Sequence, residues 1–286
     1  MFSAIKMSFR IHPAERNSKA ISRRQLIKLL AVAVLVAAPL RSTALAQSER
    51  DLTPGLHLIT PSQPASDAPI LTHRYSFDKD ATDSVGHADG VLHGNATVTN
   101  GQVNLDGQRG SYVGLPGGLI AGYPAVTFEF WATLGTNRNW VRVFDQGSTN
   151  GANGQHDLYF CPRSGSRDFR LTIMDPQPRE RVVSIPGNLD NQTNLHVVCV
   201  LDPPSGFMGI YTNGALAASR QDLASLSSVD TNLFFLGRSL FASDGWFNGS
   251  IDEFRIYNGA LSAAAVAANQ TNGPNAGLAT VPAKRQ

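Results

Sequence analysis

The chain has 286 residues, 42% of them hydrophobic, 8% aromatic and only 16% charged. That is the composition of a folded protein, and 26 Gly with 16 Pro in no triplet period excludes a collagen-like chain. The formal net charge of +2 hides an asymmetry: residues 1–46 carry eight Lys/Arg against the single acid Glu15, so the remainder nets −5. A mildly acidic body lacks the clustered Lys/Arg that phosphate contacts need, which argues against a nucleic-acid partner.

The first 46 residues have the three parts of an export signal. A basic stretch ends in Ser22-Arg23-Arg24-Gln25-Leu26-Ile27-Lys28, an uncharged apolar run extends from Leu29 to Leu40, and Ala44-Leu45-Ala46 forms a small-x-small cleavage site before Gln47. An apolar run of roughly 12 residues is short for a bilayer span of about 20. The paired arginines resemble a twin-arginine signal, with a Sec signal as the alternative. The expectation is a chain exported to the periplasm, the cell surface or the medium, with no membrane span in its mature part. No Cys stands at the cleavage site for a lipid anchor.

Residues 47–69 are polar, contain Pro54, Pro61, Pro64 and Pro69, and show no period of 2 or 3.6, as in a linker. From Leu71 onward short alternating apolar runs are separated by Gly, Asn and Asp. They fall at Leu71–Phe77, Val91–Leu92, Gln102–Leu105, Tyr112–Leu115, Val126–Thr133, Trp140–Asp145, Asp157–Cys161, Phe169–Met174 and Arg181–Ile185. Leu195–Leu201, Phe207–Tyr211, Ala215–Ser219, Leu233–Leu236 and Ile251–Tyr257 complete the set. This many short strands predicts an all-β sandwich or barrel. Asn213-Gly214 predicts a type I′ hairpin turn, because both residues tolerate positive φ. One helical segment is expected, Leu261 to Ala268 with Ser262 as N-cap, followed by a flexible tail over 272–286. Cys161 and Cys199 sit in apolar runs; export permits a bridge between them, and buried free thiols are the alternative.

Four stretches in order resemble the laminin G-like domains of the concanavalin A-like lectin/glucanase superfamily. They are Tyr75-Ser76-Phe77-Asp78 with Asp83-Ser84-Val85-Gly86; Val126-Thr127-Phe128-Glu129-Phe130-Trp131; Leu195-His196-Val197-Val198 leading to Asn213-Gly214; and Phe247-Asn248-Gly249-Ser250-Ile251-Asp252-Glu253-Phe254-Arg255-Ile256-Tyr257. The resemblance covers roughly residues 70–271 and implies a two-sheet antiparallel jelly roll. Leu195 departs from it, standing where the family usually has Trp. The fold hosts lectins, adhesion modules and glycosidases alike, so function must come from the site.

Glycoside hydrolysis needs two facing carboxyls, about 5–10 Å apart. The mature chain has four Glu (Glu49, Glu129, Glu180, Glu253) and no Glu-x-Asp-x-x-Glu strand. Asp252 and Glu253 are adjacent, so regular alternation would send them to opposite faces. Glu129 and Glu253 are the pair a divergent glycosidase would use. No Gly-x-Ser-x-Gly elbow and no His-Glu-x-x-His zinc motif occurs, and His196 in an apolar strand reads as structural.

Two binding chemistries remain. Asp78, Asp80 and Asp83 pack three carboxylates into six residues, a supply of oxygen for Ca²⁺, against the simpler reading of a solvated turn. The resemblance implies a structural calcium where first and last strands meet, which here means Asp83 and Asp252, with Asp78. Carbohydrate recognition needs aromatic platforms beside polar groups: Trp140 after Arg138-Asn139, and Trp246 after Asp244-Gly245, fit that description. Arg163, Arg167, Arg170, Arg179 and Arg181 could meet acidic glycans or simply face solvent. The expectation is a non-enzymatic module for a glycan or an extracellular protein. A jelly roll serving protein contacts alone is the alternative.

Overall fold

The computed structural model describes residues 68–175, 179–223 and 225–275. The export signal expected over 1–46, the linker up to residue 67 and the tail beyond 275 lie outside the described residues. In chain order the strands are β1 (Ile70–Tyr75), β2 (Val91–His93), β3 (Thr97–Thr99), β4 (Gln102–Asp106), β5 (Tyr112–Leu115), β6 (Val126–Leu134) and β7 (Phe144–Thr149). They continue as β8 (Gly154–Cys161), β9 (Asp168–Asp175), β10 (Arg179–Pro186), β11 (Leu195–Asp202), β12 (Phe207–Thr212), β13 (Ala215–Arg220), β14 (Leu233–Leu236) and β15 (Asn248–Asn258). One helix, α1 (Ala263–Asn272), follows.

The strands form two antiparallel sheets, the jelly-roll sandwich that the alternating runs predict. One runs β13-β12-β11-β6-β15-β4-β3; the other runs β10-β9-β8-β7-β14-β5-β2. The last strand, β15, anchors the first sheet. Along one edge it pairs with β6; along the other, its first residues pair with β4 and its last with β1, so both ends of the domain meet on it.

Alternate residues of each strand fill the space between the sheets. Phe128, Phe130, Phe144, Phe160, Phe234 and Phe254 meet there, with neighbouring ring centroids 4.7–6.5 Å apart. Such pairs add about 0.5–1.5 kcal/mol each beyond area burial. Leu195, the departure from the family pattern, is buried in the same core, where a branched aliphatic fills the place. A second, smaller apolar cluster lies on the outer side of the first sheet: Val198, Val200, Tyr211 and Tyr257 pack against Leu261 and Val266. It is this cluster that docks α1. Ser262 caps the helix, its Oγ accepting from the Ala265 N–H at 3.2 Å.

Three local expectations shift. The apolar run Trp140–Asp145 is not one strand: Trp140 has φ +65°, and β7 starts only at Phe144. The three-residue β3 carries too little apolar pattern to be read from sequence. A register shift between Ile251 and Glu253 makes Asp252 a bulge residue in β15. Ile251 and Phe254 therefore both enter the core, and Asp252 and Glu253 are not sent to opposite faces as regular alternation requires. Cys161 and Cys199 are free, buried thiols on different sheets; Cys161 donates to the Arg163 carbonyl at 3.1 Å.

Candidate functional site

The acidic turn after β1 folds around Asp83, which is fully buried. Its Oδ1 accepts from the backbone N–H groups of Arg74, Val85 and Gly86 at 2.9–3.1 Å. Its Oδ2 accepts from the Ala88 N–H at 3.1 Å and meets His73 Nδ1 at 2.7 Å. Burial alone would raise this carboxyl, but the His73 and backbone hydrogen bonds outweigh it and hold the group well below the usual carboxylate range. Asp80 caps Thr82, and Asp78 stands exposed. With both Asp83 oxygens engaged by N–H donors, Asp78, Asp83 and Asp252 do not fit a shared calcium. No group of three or more His, Cys, Asp or Glu among the described residues converges for a metal.

Glu129 and Glu253 do come together, on the outer side of the first sheet. Arg255 donates Nε to Glu253 at 2.6 Å and Nη1 to Glu129 at 3.3 Å. Arg74 grips Glu253 with Nε and Nη2 at 2.5 and 3.1 Å. Tyr257 Oη donates to Glu129 at 2.7 Å, Asn269 of α1 donates to both its oxygens, and His196 Nε2 lies 2.9 Å away. Both glutamates are fully buried under α1. Each of their four oxygens accepts at least one hydrogen bond that holds the fold, and neither carboxylate is exposed to a substrate. His196 is structural, as its strand context suggests: its ring stacks on Trp131 at 4.3 Å.

The outward face of the second sheet is different. Asp145, Tyr159 and Thr172 are register partners across β7, β8 and β9, and Phe235 continues the row on β14. Arg142 lies over this row, its guanidinium 3.8 Å from the Tyr159 ring centroid. Its Nε is 3.4 Å from Asp145 and its Nη2 is 3.2 Å from Asp244. Asp157, two residues before Tyr159, adds a third carboxyl, so one cation serves three acids. Burial is the largest cause in each, and all three rise: Asp145 to about 8, Asp157 to about 6, and Asp244 upward. Asp145 Oδ1, Asp157 Oδ2 and Thr172 Oγ1 are buried without a hydrogen-bond partner. A protonated carboxyl here can donate as well as accept.

Two aromatic–arginine patches flank that acid cluster. On one side, half-buried Trp140 lies under Arg170 and Arg142, at 5.2 and 5.9 Å from its ring. On the other, His93 stacks on Tyr112 at 4.3 Å, and Tyr112 meets Phe235 and Trp246 at 5.3 and 5.9 Å. Arg238 lies over the Tyr112, Phe235 and Trp246 rings, 4.3–5.9 Å from their centroids. The two tryptophans singled out in the sequence are thus linked to one cluster, Trp140 through its carbonyl bond to Arg142 and Trp246 through the Asp244 beside it.

The other sequence candidates sit further out. Arg138 is exposed, and Asn139 accepts from Arg163 Nε at 3.0 Å. Arg163, Arg170 and Arg181 pair with Asp190, Asp168 and Asp222, which consumes much of the charge expected to attract acidic glycans. Sequence reading missed Arg142, Asp145, Asp157, Tyr112 and Arg238. The alternation Asp157-Leu158-Tyr159-Phe160-Cys161 carried part of that signal, since it sets a polar and an aromatic side chain on one face.

The family model described as the concanavalin A-like lectin/glucanases superfamily (Laminin_G_3) matches residues 106–267, more than half of the chain. No curated protein matches. Among solved structures, domain 4 of AbnA, a GH43 extracellular arabinanase from Geobacillus stearothermophilus, in complex with arabinotriose, is similar at 24% identity and TM-score 0.57, over 70% of this chain and 98% of that one. The botulinum neurotoxin serotype D/C VPI 5993 binding domain matches at 15% identity and TM-score 0.57, over 71% of this chain and 52% of that one. The binding domain of botulinum neurotoxin DC in complex with SialylT matches at 15% identity and TM-score 0.56, over 72% and 52%. The chain thus spans about half the length of the neurotoxin domains it matches. At these identities the solved structures establish the fold alone. Fold, strand order and family match agree: the chain belongs to the concanavalin A-like lectin/glucanase superfamily, as a laminin G-like jelly roll.

Proposed function

We infer that the protein is an exported, non-enzymatic binding module that takes a carbohydrate of an extracellular surface on the outward face of its second sheet. The observation that carries this reading is the coupling of Trp140 and Trp246 to one buried polar cluster, Arg142 with Asp145, Asp157 and Asp244. Sugars present C–H faces to aromatic rings and hydroxyls to polar groups; half-buried Trp140 and Trp246 stand with half-buried Arg170 and Asp244, and buried Arg142 bonds to the Trp140 carbonyl and pairs with Asp244. The similar structures in complex with arabinotriose and with SialylT support a glycan as the ligand class. The absence of hydrolysis rests on Glu129 and Glu253 being spent on Arg255 beneath α1.

A glycan array probed with the full chain tests the reading. Specific hits that disappear in Trp140→Ala or Trp246→Ala are expected. A blank array would move the function to protein contacts. Release of reducing sugar from a bound glycan would overturn the non-enzymatic part.

A further inference from the structure

The loop between β14 and β15 closes over the acid cluster. Its ends are pinned: the Phe247 N–H donates to the Gly237 carbonyl at 3.1 Å, the Gly237 N–H donates to the Val143 carbonyl at 2.9 Å, and Phe247 is fully buried. Gly237, with φ +83°, turns the chain out of the sheet. Residues 238–246 thus leave and return at one point, as a compact Ω-loop does. Four contacts clasp them to the second sheet. The Leu240 N–H donates to Asp145 Oδ2 at 2.9 Å, the Ala242 N–H to the Ala152 carbonyl at 2.9 Å, and Thr149 Oγ1 to the Leu240 carbonyl at 3.3 Å. Asp244 completes the set through Arg142 Nη2 at 3.2 Å. Phe241 lies beside Asp157: a Cβ on Gly154 would stand 2.7 Å from its ring and 3.1 Å from Asp157 Oδ2. The loop begins with Arg238 and ends with Trp246, so it carries both of those members of one aromatic–arginine patch.

What the loop covers is charge that burial disfavours. Arg142 pairs with Asp145 and Asp244, while Asp145 Oδ1 and Asp157 Oδ2 have no hydrogen-bond partner. The other charged or titratable groups facing them are Tyr159 and Cys161 of β8, Arg170 of β9, Glu180 of β10, and Arg238 over Phe235 of β14. Arg170 is already paired with Asp168, and Glu180 adds negative charge, so ionising every acid leaves the cluster short of cations. Under the closed loop Asp145 and Asp157 hold their protons up to about 8 and about 6; returned to water they would lose them at about 4. Lifting the loop is therefore favoured as pH rises from about 4 through those two values, by up to about tenfold per pH unit for each acid. We propose that residues 238–246 are a pH-released strap: ionisation of Asp145 and Asp157 lifts them and carries Arg238 and Trp246 away from Trp140. The strap regulates binding if this face takes the ligand as read above, and that part rests on the earlier reading; its movement does not.

Amide hydrogen exchange in the full chain without ligand, at about pH 5.5 and about pH 8 and corrected for the intrinsic pH dependence, tests the strap. The Ala242 amide is bonded to a backbone carbonyl and to neither acid, so it reports lifting alone. Phe130, in β6 at the middle of the first sheet, reports opening of the whole domain. Ala242 is expected to be less protected than Phe130 and to lose about tenfold or more of its protection between the two pH values. Asp145→Asn should remove most of that loss and Asp157→Asn part of it. Equal protection of Ala242 and Phe130 at both pH values would mean that the loop opens only with the whole molecule, and would overturn the proposal. So would a loss that stays whole in Asp145→Asn or, should that variant not fold, in Asp157→Asn. Affinity for the best array glycan should fall over the same range in step with Ala242; constant affinity would overturn the regulatory part. A blank array would sink the reading of the face and leave the strap to be decided by Ala242.

Discussion

Glu129 and Glu253 share one guanidinium: Arg255 reaches Glu253 at 2.6 Å through Nε and Glu129 at 3.3 Å through Nη1, with all three side chains buried. That single cation turns the two acids best suited to glycoside hydrolysis into a structural brace between β6, β15 and α1. Replacing Arg255 by Leu would leave two buried carboxylates without it, at a cost of about 3–5 kcal/mol. Glu129→Gln keeps part of the hydrogen bonding and should cost about 1–3 kcal/mol. Urea unfolding of the two variants checks the order; equal stabilities for Arg255→Leu and the unmodified chain would refute it.

The Asp83 turn yields a second prediction. Its carboxylate is met by four backbone N–H groups and His73. Asp83→Ala should therefore lower stability by about 2 kcal/mol or more, and chelation should leave the melting temperature where it is. A drop in Tm with EDTA, restored by Ca²⁺, would show that the turn binds metal after all.

The acids also set a pH profile. Asp83 and Glu129 are held below the ordinary range, so their contribution is present above the unfolded value of about 4 and is lost as pH falls through the lower folded values. Asp157 and Asp145 are raised to about 6 and about 8. For them the folded state holds the proton longer than the unfolded state, so stability is full below about pH 4 and declines as pH rises through those two values. The balance places maximal stability at about pH 4, with the decline setting in above it. Melting curves across pH should show a decline from 6 to 8 that flattens in Asp145→Asn; a decline unchanged in that variant would contradict the assignment.

Most of the fold was legible because strand alternation and turn residues are local signals. Asn213 and Gly214 have φ of 49° and 82°, as their turn requires, and Ser262 caps α1 where it was expected. What escaped was set by tertiary contacts. The bulge at Asp252 depends on how β15 is matched to β6, which no period-2 pattern encodes. The helix extends to Asn272 because Val266 and Leu261 dock on Val198 and Val200, and so it carries Asn269 to Glu129. For the site, Trp140 and Trp246 were visible as aromatics beside polar residues. Arg142 and Asp145 were not, since their partnership is made through a turn at Trp140 that breaks the apolar run.

The central claim is that the ligand sits on the outward face of the second sheet. It is tested most directly by calorimetric titration of the best array glycan into Trp140→Ala, Trp246→Ala and Glu129→Gln. Each tryptophan variant should lose about tenfold or more in affinity, as stacking contacts of roughly 1–3 kcal/mol would require, with Glu129→Gln unchanged. Full affinity in both tryptophan variants, with loss in Glu129→Gln, would place the ligand on the opposite sheet and contradict the account.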